Sequence, residues 1–186
     1  MAYTFSLSAE CGSNQQDAEH FAGHFRGHSM ELITGKVSTL HATVHCDEES
    51  NWWAVIEPDK VSRSGVATLD DAVELSELGF RLYALLMSAP DYRFALVGVE
   101  VDDSNTYEEL LGQVATYSSG KRIVPNFEGL VLSNELWQEM GRPLAFFPFG
   151  ERYRWKPYRG EDYSPTWEAS ARGERLLALR RVLPSA

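Results

Sequence analysis

The sequence contains few cysteines, no long apolar run and no internal repeat. Two cysteines among 186 residues are too few for a disulfide framework, although a single bridge stays open. The chain starts without a basic cluster followed by an apolar core, so no secretory signal is expected. No stretch approaches the roughly 18 apolar residues that a membrane span needs. These absences predict a soluble, cytoplasmic protein that does not act at a membrane.

The composition is that of an ordinary globular domain. Hydrophobic residues make up 44% and charged residues 24% of the chain, which excludes disordered, collagen-like and coiled-coil proteins. A chain of this length can bury roughly 70% of its unfolded surface, so it needs neither disulfides nor a structural metal. We therefore expect one domain over residues 1–186. No cofactor fingerprint is present, and no cofactor is expected.

The charge of the chain is acidic and unevenly distributed. The formal net charge is −10. Residues 1–140 contain 8 Lys and Arg against 22 Asp and Glu, whereas residues 141–186 contain 9 against 5. An acidic body repels nucleic acid and anionic membranes and attracts basic proteins. A basic protein partner is therefore favoured, and solubility alone is the competing explanation.

The hydrophobic periodicity predicts an α+β domain with a mixed or antiparallel sheet packed against helices. Alternation predicts a half-buried strand over residues 3–8, and residues 36–46 and 52–56 are expected to form an antiparallel hairpin. In the first of these hairpin strands, Val37, Leu40, Ala42, Val44 and Cys46 are expected on one face. Two further strands are expected at residues 94–101 and 128–132.

Capping patterns place the helices. Ser13 with Gln16 predicts a helix that begins near Asn14, ends near Gly27 and has a four-residue apolar stripe: Ala18, Phe21, Ala22 and Phe25. Thr68 with Asp71 predicts a buried helix over residues 69–88, in which Glu77 and Arg81 are spaced to form an ion pair. Shorter helices are expected after Thr106 and after Ser133 or Asn134. Residues 141–163, rich in proline and aromatic residues, are expected to be irregular, followed by a final helix over residues 164–182.

All five histidines lie between residues 20 and 45. His20 and His24 share one helix face and are candidate metal ligands, whereas His41 and His45 on a strand are about 13 Å apart and cannot share a metal. A third ligand and the glutamate of the helical zinc-protease motif are missing, so surface histidines are the favoured interpretation. Cys46 beside His45, or alternatively Cys11, is a candidate nucleophile. Strand neighbours point to opposite faces, however, which favours a buried Cys46.

Two other segments contain basic residues in patterns that are typical of binding sites. Residues 118–122 resemble a phosphate-binding loop, but Arg122 stands where a Ser or Thr is needed, so a surface turn is expected. Residues 152–159 interleave basic and aromatic side chains, which suits internal packing, a protein interface or base stacking. We expect internal packing along an edge strand, with Tyr153 and Trp155 turned inward. The acidic body disfavours nucleic acid.

The acidic residues are grouped in short patches with two tryptophans nearby. The candidate partner-binding residues are Asp47, Glu48, Glu49, Trp52, Glu57, Asp59, Asp102, Asp103 and Glu108. Asp70, Asp71, Glu109 and Trp53 are further members of these patches. A small acidic α+β domain of this kind resembles the immunity proteins that bacteria keep against their own toxins. That resemblance implies a non-enzymatic inhibitor that binds and occludes a basic toxin domain.

A second hypothesis belongs to another class of protein. The histidine-rich stretch, residues 20–45, could serve a small metal-dependent or thiol enzyme, with His20, His24, His41 and His45 as the residues to test. In the binding hypothesis, carboxylates steer a basic partner and aromatic side chains supply affinity. Replacement of His20 and His24 by alanine separates the two, because only the enzyme would lose its function.

Overall fold

The computed structural model describes residues 4–59, 61, 65–101, 106–112, 115–116, 122–123 and 127–162. The helices are α1 (Gln15–Phe25), α2 (Leu69–Leu86), α3 (Tyr107–Gly112) and α4 (Asn134–Glu139). The strands are β1 (Phe5–Glu10), β2 (Ser29–Glu31), β3 (Val37–Cys46), β4 (Trp52–Pro58), β5 (Phe94–Val99), β6 (Ala115–Thr116), β7 (Arg122–Ile123), β8 (Val131–Ser133), β9 (Phe147–Phe149) and β10 (Tyr153–Trp155).

The fold is α+β, as predicted, and its strands pair in the antiparallel sense. Eight strands form one sheet in the order β2-β3-β4-β1-β5-β8-β10-β9. The short strands β6 and β7 form a separate ladder. Strand β1 lies in the interior of the large sheet, between β4 and β5.

Helices cover both faces of the sheet. On the first face, α1 and α2 pack in the larger core cluster, to which Phe21 and Leu78 belong. On the second face, α3 and α4 contribute Leu110 and Leu136 to a smaller cluster around Phe94 of β5. The sheet is therefore the middle layer of three.

This layering corrects the prediction of a half-buried first strand. All six residues of β1 are buried. Phe5, Leu7 and Ala9 belong to the larger cluster, so the alternation of a strand turns Ser6, Ser8 and Glu10 toward the second face. The predicted alternation is present, but the polar face of β1 is covered as well.

Helix α1 follows the predicted pattern. Its stripe of Ala18, Phe21, Ala22 and Phe25 is buried. The N-cap is Asn14, whose side chain accepts a hydrogen bond from the backbone of Gln16. The predicted capping box of Ser13 and Gln16 is therefore wrong: the N-cap lies one residue later, and its side chain bonds to the backbone two residues on.

The predicted hairpin is formed by β3 and β4, with Thr43 opposite Val55. The predicted burial is wrong at both ends of the apolar row of β3. Val37 is 47% exposed, because Ser38 and Leu40 occupy the inner face at that end. Cys46 is exposed as well, since it lies at the turn end of the strand; its predicted burial is incorrect.

Helix α2 confirms the predicted cap and the predicted ion pair. Thr68 and Asp71 form a reciprocal capping box. The Arg81 guanidinium donates to the buried Glu77 carboxylate at 2.7 Å. Glu77 also accepts a hydrogen bond from the backbone of Ile33 at 2.8 Å, which attaches the loop after β2 to the helix.

The segment predicted to be irregular contains two short strands. Strand β10 pairs with β8 on one side and β9 on the other, so it is not the edge strand that the sequence predicted. Tyr153 is buried, as expected, and Trp155 packs against the core. The Tyr158 ring then lies against Gly79 of α2, where a Cβ atom would come within 2.5 Å of the ring. The predicted C-terminal helix, residues 164–182, lies outside the described residues.

Most predictions for the middle of the chain are confirmed. The strand predicted at residues 128–132 begins later, as β8 at Val131–Ser133, because residues 128 and 129 form a turn in which Gly129 has a φ of 87°. Strand β5 lies within residues 94–101, and α3 follows Thr106, which caps it through Glu109. The Ser133 side chain caps α4 by accepting from the backbone of Leu136. Among the described helices, none has the length and apolar character needed to cross a membrane.

Candidate functional site

The predicted acidic residues divide between the two ends of the β3–β4 hairpin. Residues 47–49 form the turn after β3. Glu57 and Asp59 lie at the other end of β4, where Asp59 bonds to the backbone of Thr39. At about 3.3 Å per residue, Trp52 and Glu57 are about 17 Å apart along the strand. The two groups therefore lie at opposite ends of the hairpin. Asp102 and Asp103 lie outside the described residues.

Asp47 organises the turn. Its carboxylate accepts hydrogen bonds from the indole of Trp53 at 2.8 Å and from the backbone of Asn51 at 2.8 Å and Glu49 at 2.9 Å. Burial raises the pKa of the Asp47 carboxyl, but these hydrogen bonds outweigh that effect, so its pKa is lowered. Asp47 is therefore charged at neutral pH and committed to the turn, and it supports the neighbouring Glu48 and Glu49.

The two tryptophans of β4 belong to the protein interior. Trp53 is buried in the smaller cluster, where its ring meets Phe94 edge to face. The His45 ring lies parallel to the Trp53 ring, with an interplanar angle of 7° and centroids 6.4 Å apart. Trp52, the predicted aromatic anchor, is half-buried and packs against the larger cluster. Only part of Trp52 can contact a partner.

A hydrogen bond joins the residue before helix α3 to the turn of residues 47–49. The Thr106 hydroxyl donates to Glu49 at 2.7 Å. The Thr106 backbone donates to the carboxylate of Glu109 at 2.9 Å. Glu108 and Glu109 are both exposed in the first turn of α3. The predicted groups 47–49 and 108–109 are therefore brought together, although 57 residues separate Glu49 from Thr106.

Helix α4 is joined to α3 by Tyr107, the first residue of α3. The Tyr107 hydroxyl donates to Glu139 at 2.6 Å. Burial, followed by this hydrogen bond, raises the pKa of Tyr107 to about 12, so the phenol keeps its proton at neutral pH. Glu135 lies one turn before Glu139 on α4, and both are exposed.

A buried ion pair lies beneath these helices. Glu10 is fully buried and accepts two hydrogen bonds from Arg93, at 2.5 and 2.7 Å, and one from the backbone of Gly12. Burial lowers the pKa of the Arg93 guanidinium, but the hydrogen bond to Glu10 outweighs it and the net shift is upward. Arg93 also donates to Asn51 at 2.8 Å and lies 3.9 Å from the ring centroid of Tyr107. This pair connects β1, β5, the hairpin turn and α3.

We define the acidic end as six exposed carboxylates gathered by these contacts: Glu48, Glu49, Glu108, Glu109, Glu135 and Glu139. The sequence predicted Glu48, Glu49 and Glu108 as partner-binding residues and missed the two on α4. Their spacing of four on a predicted helix was a visible signal for a shared face. That α4 meets α3 follows only from tertiary structure.

The histidine and cysteine candidates are dispersed. His20 is exposed, whereas His24 contacts the backbone carbonyl of Leu85 through its ring nitrogen at 3.2 Å. Across the described ranges, no group of three or more His, Cys, Asp or Glu could hold a metal ion. Cys11 is buried, and burial strongly raises the pKa of its thiol.

The basic residues of 152–159 contact the protein itself. Arg152 pairs with Asp91. Arg154 donates to Asn134 at 3.2 Å and lies 5.1 Å from the ring centroid of Trp137. Arg159 lies 3.8 Å from Glu128. These contacts account for the alternation by internal packing.

No protein-family model, curated protein or solved structure matches this chain.

Proposed function

We propose that this protein is a non-enzymatic inhibitor of the immunity type, which binds and occludes a basic bacterial toxin domain through its acidic end. The observation that carries the proposal is the hydrogen bond between Thr106 and Glu49, because it joins α3 to the hairpin turn. Carboxylates distant in sequence thereby face outward at one end of the sheet. The overall charge of −10 acts in the same direction by steering a basic partner from a distance.

Hydrogen bonds and an ion pair support the acidic end from below, and preorganisation of this kind lowers the cost of binding. Asp47 fixes the turn through three hydrogen bonds. The Glu10 and Arg93 pair fixes the strands below it. Glu48, Glu108 and Glu135 stay exposed above this frame. This supporting frame favours a carboxylate surface that is in place before a basic surface arrives.

The histidine-based enzyme gains no support from the geometry. His24 is bound to the carbonyl of Leu85, and the His45 ring rests on Trp53. Their roles in the fold are packing roles.

Affinity capture tests the proposal. The tagged protein is incubated with lysate of its source cells at low and at high salt, and bound proteins are identified by mass spectrometry. One basic, stoichiometric partner, retained at low salt and released at high salt, is expected. Absence of any partner at either salt contradicts the proposal.

Two triple variants with equal charge changes locate the surface. The first replaces Glu48, Glu108 and Glu135 by glutamine. The second is the control and replaces three acids at the opposite end of the sheet: Glu31, Glu57 and Glu100. Capture is expected to be weakened by the first variant and largely retained by the second. Equal effects would mean that net charge alone, and not the acidic end, attracts the partner.

A further inference from the structure

A groove of two adjoining clefts runs past the acidic end. The first cleft has a volume of about 450 Å³ and the second about 360 Å³. Both are lined by the segment that precedes β5, including Asp91 and Arg93, and by Arg152. The first cleft extends to α4, and the second extends to His20 on α1. These volumes lie in the range of ligand-binding clefts, so each can take a long side chain.

The charged groups of the groove leave an excess of carboxylates. Its lining includes four acids, Asp17, Asp91, Glu135 and Glu139, and two arginines, Arg93 and Arg152. The buried Glu10, which is outside the lining, already compensates Arg93. The field inside the groove therefore favours a cation.

Arg152 shows which cation fits. Its guanidinium pairs with Asp91, lies 5.5 Å from the ring centroid of Tyr153 and approaches the carbonyl of Ala89 at 3.5 Å. Tyr153 is itself stacked on Tyr92, with centroids 4.1 Å apart and an interplanar angle of 5°. Carboxylate, aromatic face and backbone carbonyl together suit a planar guanidinium. The Arg152 side chain is 56% exposed and that of Asp91 80%, so their pairing is weak and can be exchanged.

We infer that the groove is the seat for a guanidinium side chain of the partner protein, held by Asp91, Glu135 and Glu139 and in competition with Arg152. This inference rests on the proposed function and deepens it, because it names the chemistry of the inserted residue. Glu135 and Glu139 lie one turn apart on α4 and line the first cleft together. Asp91 lines the same cleft, so an arginine that enters it would meet carboxylates from α4 and from the segment before β5.

Titration with a blocked tri-arginine peptide tests the inference on the full chain. Backbone amide signals of the 15N-labelled protein are followed by NMR at low salt, with blocked tri-glutamate as the control peptide. Tri-arginine is expected to shift the signals of Tyr92, Arg93 and Glu135, and tri-glutamate is not. Shifts spread evenly over the acidic residues of the whole chain, or none at the groove, would overturn the inference.

Variants with opposite expected effects separate binding from structure. Glu135→Gln with Glu139→Gln is expected to weaken tri-arginine binding about twofold to tenfold, as two exposed ion pairs would. Arg152→Gln is expected to strengthen it, because the competing guanidinium is gone. Weaker binding in the Arg152 variant, or unchanged binding in the Glu135 and Glu139 variant, would overturn the assignment.

The outcome is distinguishable from that of the proposed function. If the lysate supplies a basic partner that the Glu135 and Glu139 variant binds as well as wild type does, the groove is not the seat, and the inhibitor proposal stands. If tri-arginine binds in the groove but no basic partner is captured, the site exists and the inhibitor proposal fails.

Discussion

Removing Arg93 tests the frame beneath the acidic end. Glu10 is fully buried, and its carboxylate accepts hydrogen bonds from the Arg93 guanidinium at 2.5 and 2.7 Å. Arg93→Ala leaves this carboxylate buried, and among the described residues the backbone of Gly12 is its one remaining hydrogen-bond donor. An uncompensated buried charge of this kind costs about 3–5 kcal/mol. That is a large part of the 5–15 kcal/mol typical of a whole domain.

The reverse substitution is expected to cost less. The Arg93 side chain is 33% exposed, so water can solvate it when Glu10 is changed. It also keeps its hydrogen bond to Asn51 and its position over Tyr107. Glu10→Gln is therefore expected to cost about 1–3 kcal/mol. The test is the difference in lost free energy of unfolding between the two variants, because that difference follows from which partner of the ion pair is buried.

Urea unfolding followed by far-UV circular dichroism measures both free energies of unfolding. Arg93→Lys keeps the charge but loses the paired hydrogen bonds, so it should fall between wild type and Arg93→Ala, and it covers the case in which the alanine variant does not fold. The exposed control Glu31→Gln should stay within about 0.5 kcal/mol of wild type. If Glu10→Gln costs as much as Arg93→Ala or more, the reasoning is refuted.

Three further predictions concern single positions. Asp47→Asn should lower the free energy of unfolding by about 1–2 kcal/mol at pH 7. Because the pKa of Asp47 is lowered in the folded state, its contribution to stability is present above about pH 4 and is lost on acidification. In urea unfolding from pH 7 to pH 3, the free energy of unfolding should therefore fall less steeply for the variant than for wild type. Gly79→Ala should lower the stability by about 1–3 kcal/mol in thermal unfolding, because its Cβ would lie 2.5 Å from the Tyr158 ring; a wild-type melting temperature would contradict the packing. Ser8→Ala should raise the stability by up to about 1 kcal/mol in urea, because the buried Ser8 hydroxyl has no hydrogen-bond partner among the described residues; a clear loss would mean that it has one.

Local signals in the sequence predicted most of the elements. The capping box of Thr68 and Asp71 and the stripe through Phe21 and Phe25 involve residues within a few positions of one another, so the sequence alone determines them. The hairpin of β3 and β4 was predictable because a polar turn separates two apolar runs. Short-range interactions of this kind depend on residues that are close in the sequence.

Features that depend on distant segments were not predictable. The burial of Ser6 and Ser8 requires a second layer on the polar face of β1. The strands β9 and β10 form because β8 offers an edge at which Arg154 can pair with Leu132. Proline and glycine in that segment signalled irregular structure, and pairing with the sheet overrode the signal.

The candidate site shows the same division. Glu48, Glu49 and Glu108 were identified as acidic patches from composition. Their gathering, and the separation of Glu57 from them, depend on the contact of Thr106 with Glu49 and on the strand register. No local sequence pattern indicates that these carboxylates lie together or that Glu57 lies apart from them.

The association rate of the captured partner tests the central claim most directly. The rate constant is measured at low and at high ionic strength for wild type, for the triple variant of Glu48, Glu108 and Glu135, and for the matched variant of Glu31, Glu57 and Glu100. The account predicts that the wild-type rate falls at least tenfold with salt, that the first variant associates slowly at both ionic strengths, and that the matched variant keeps most of the wild-type rate. A wild-type rate that is independent of salt, or an equal loss in both variants, would contradict it.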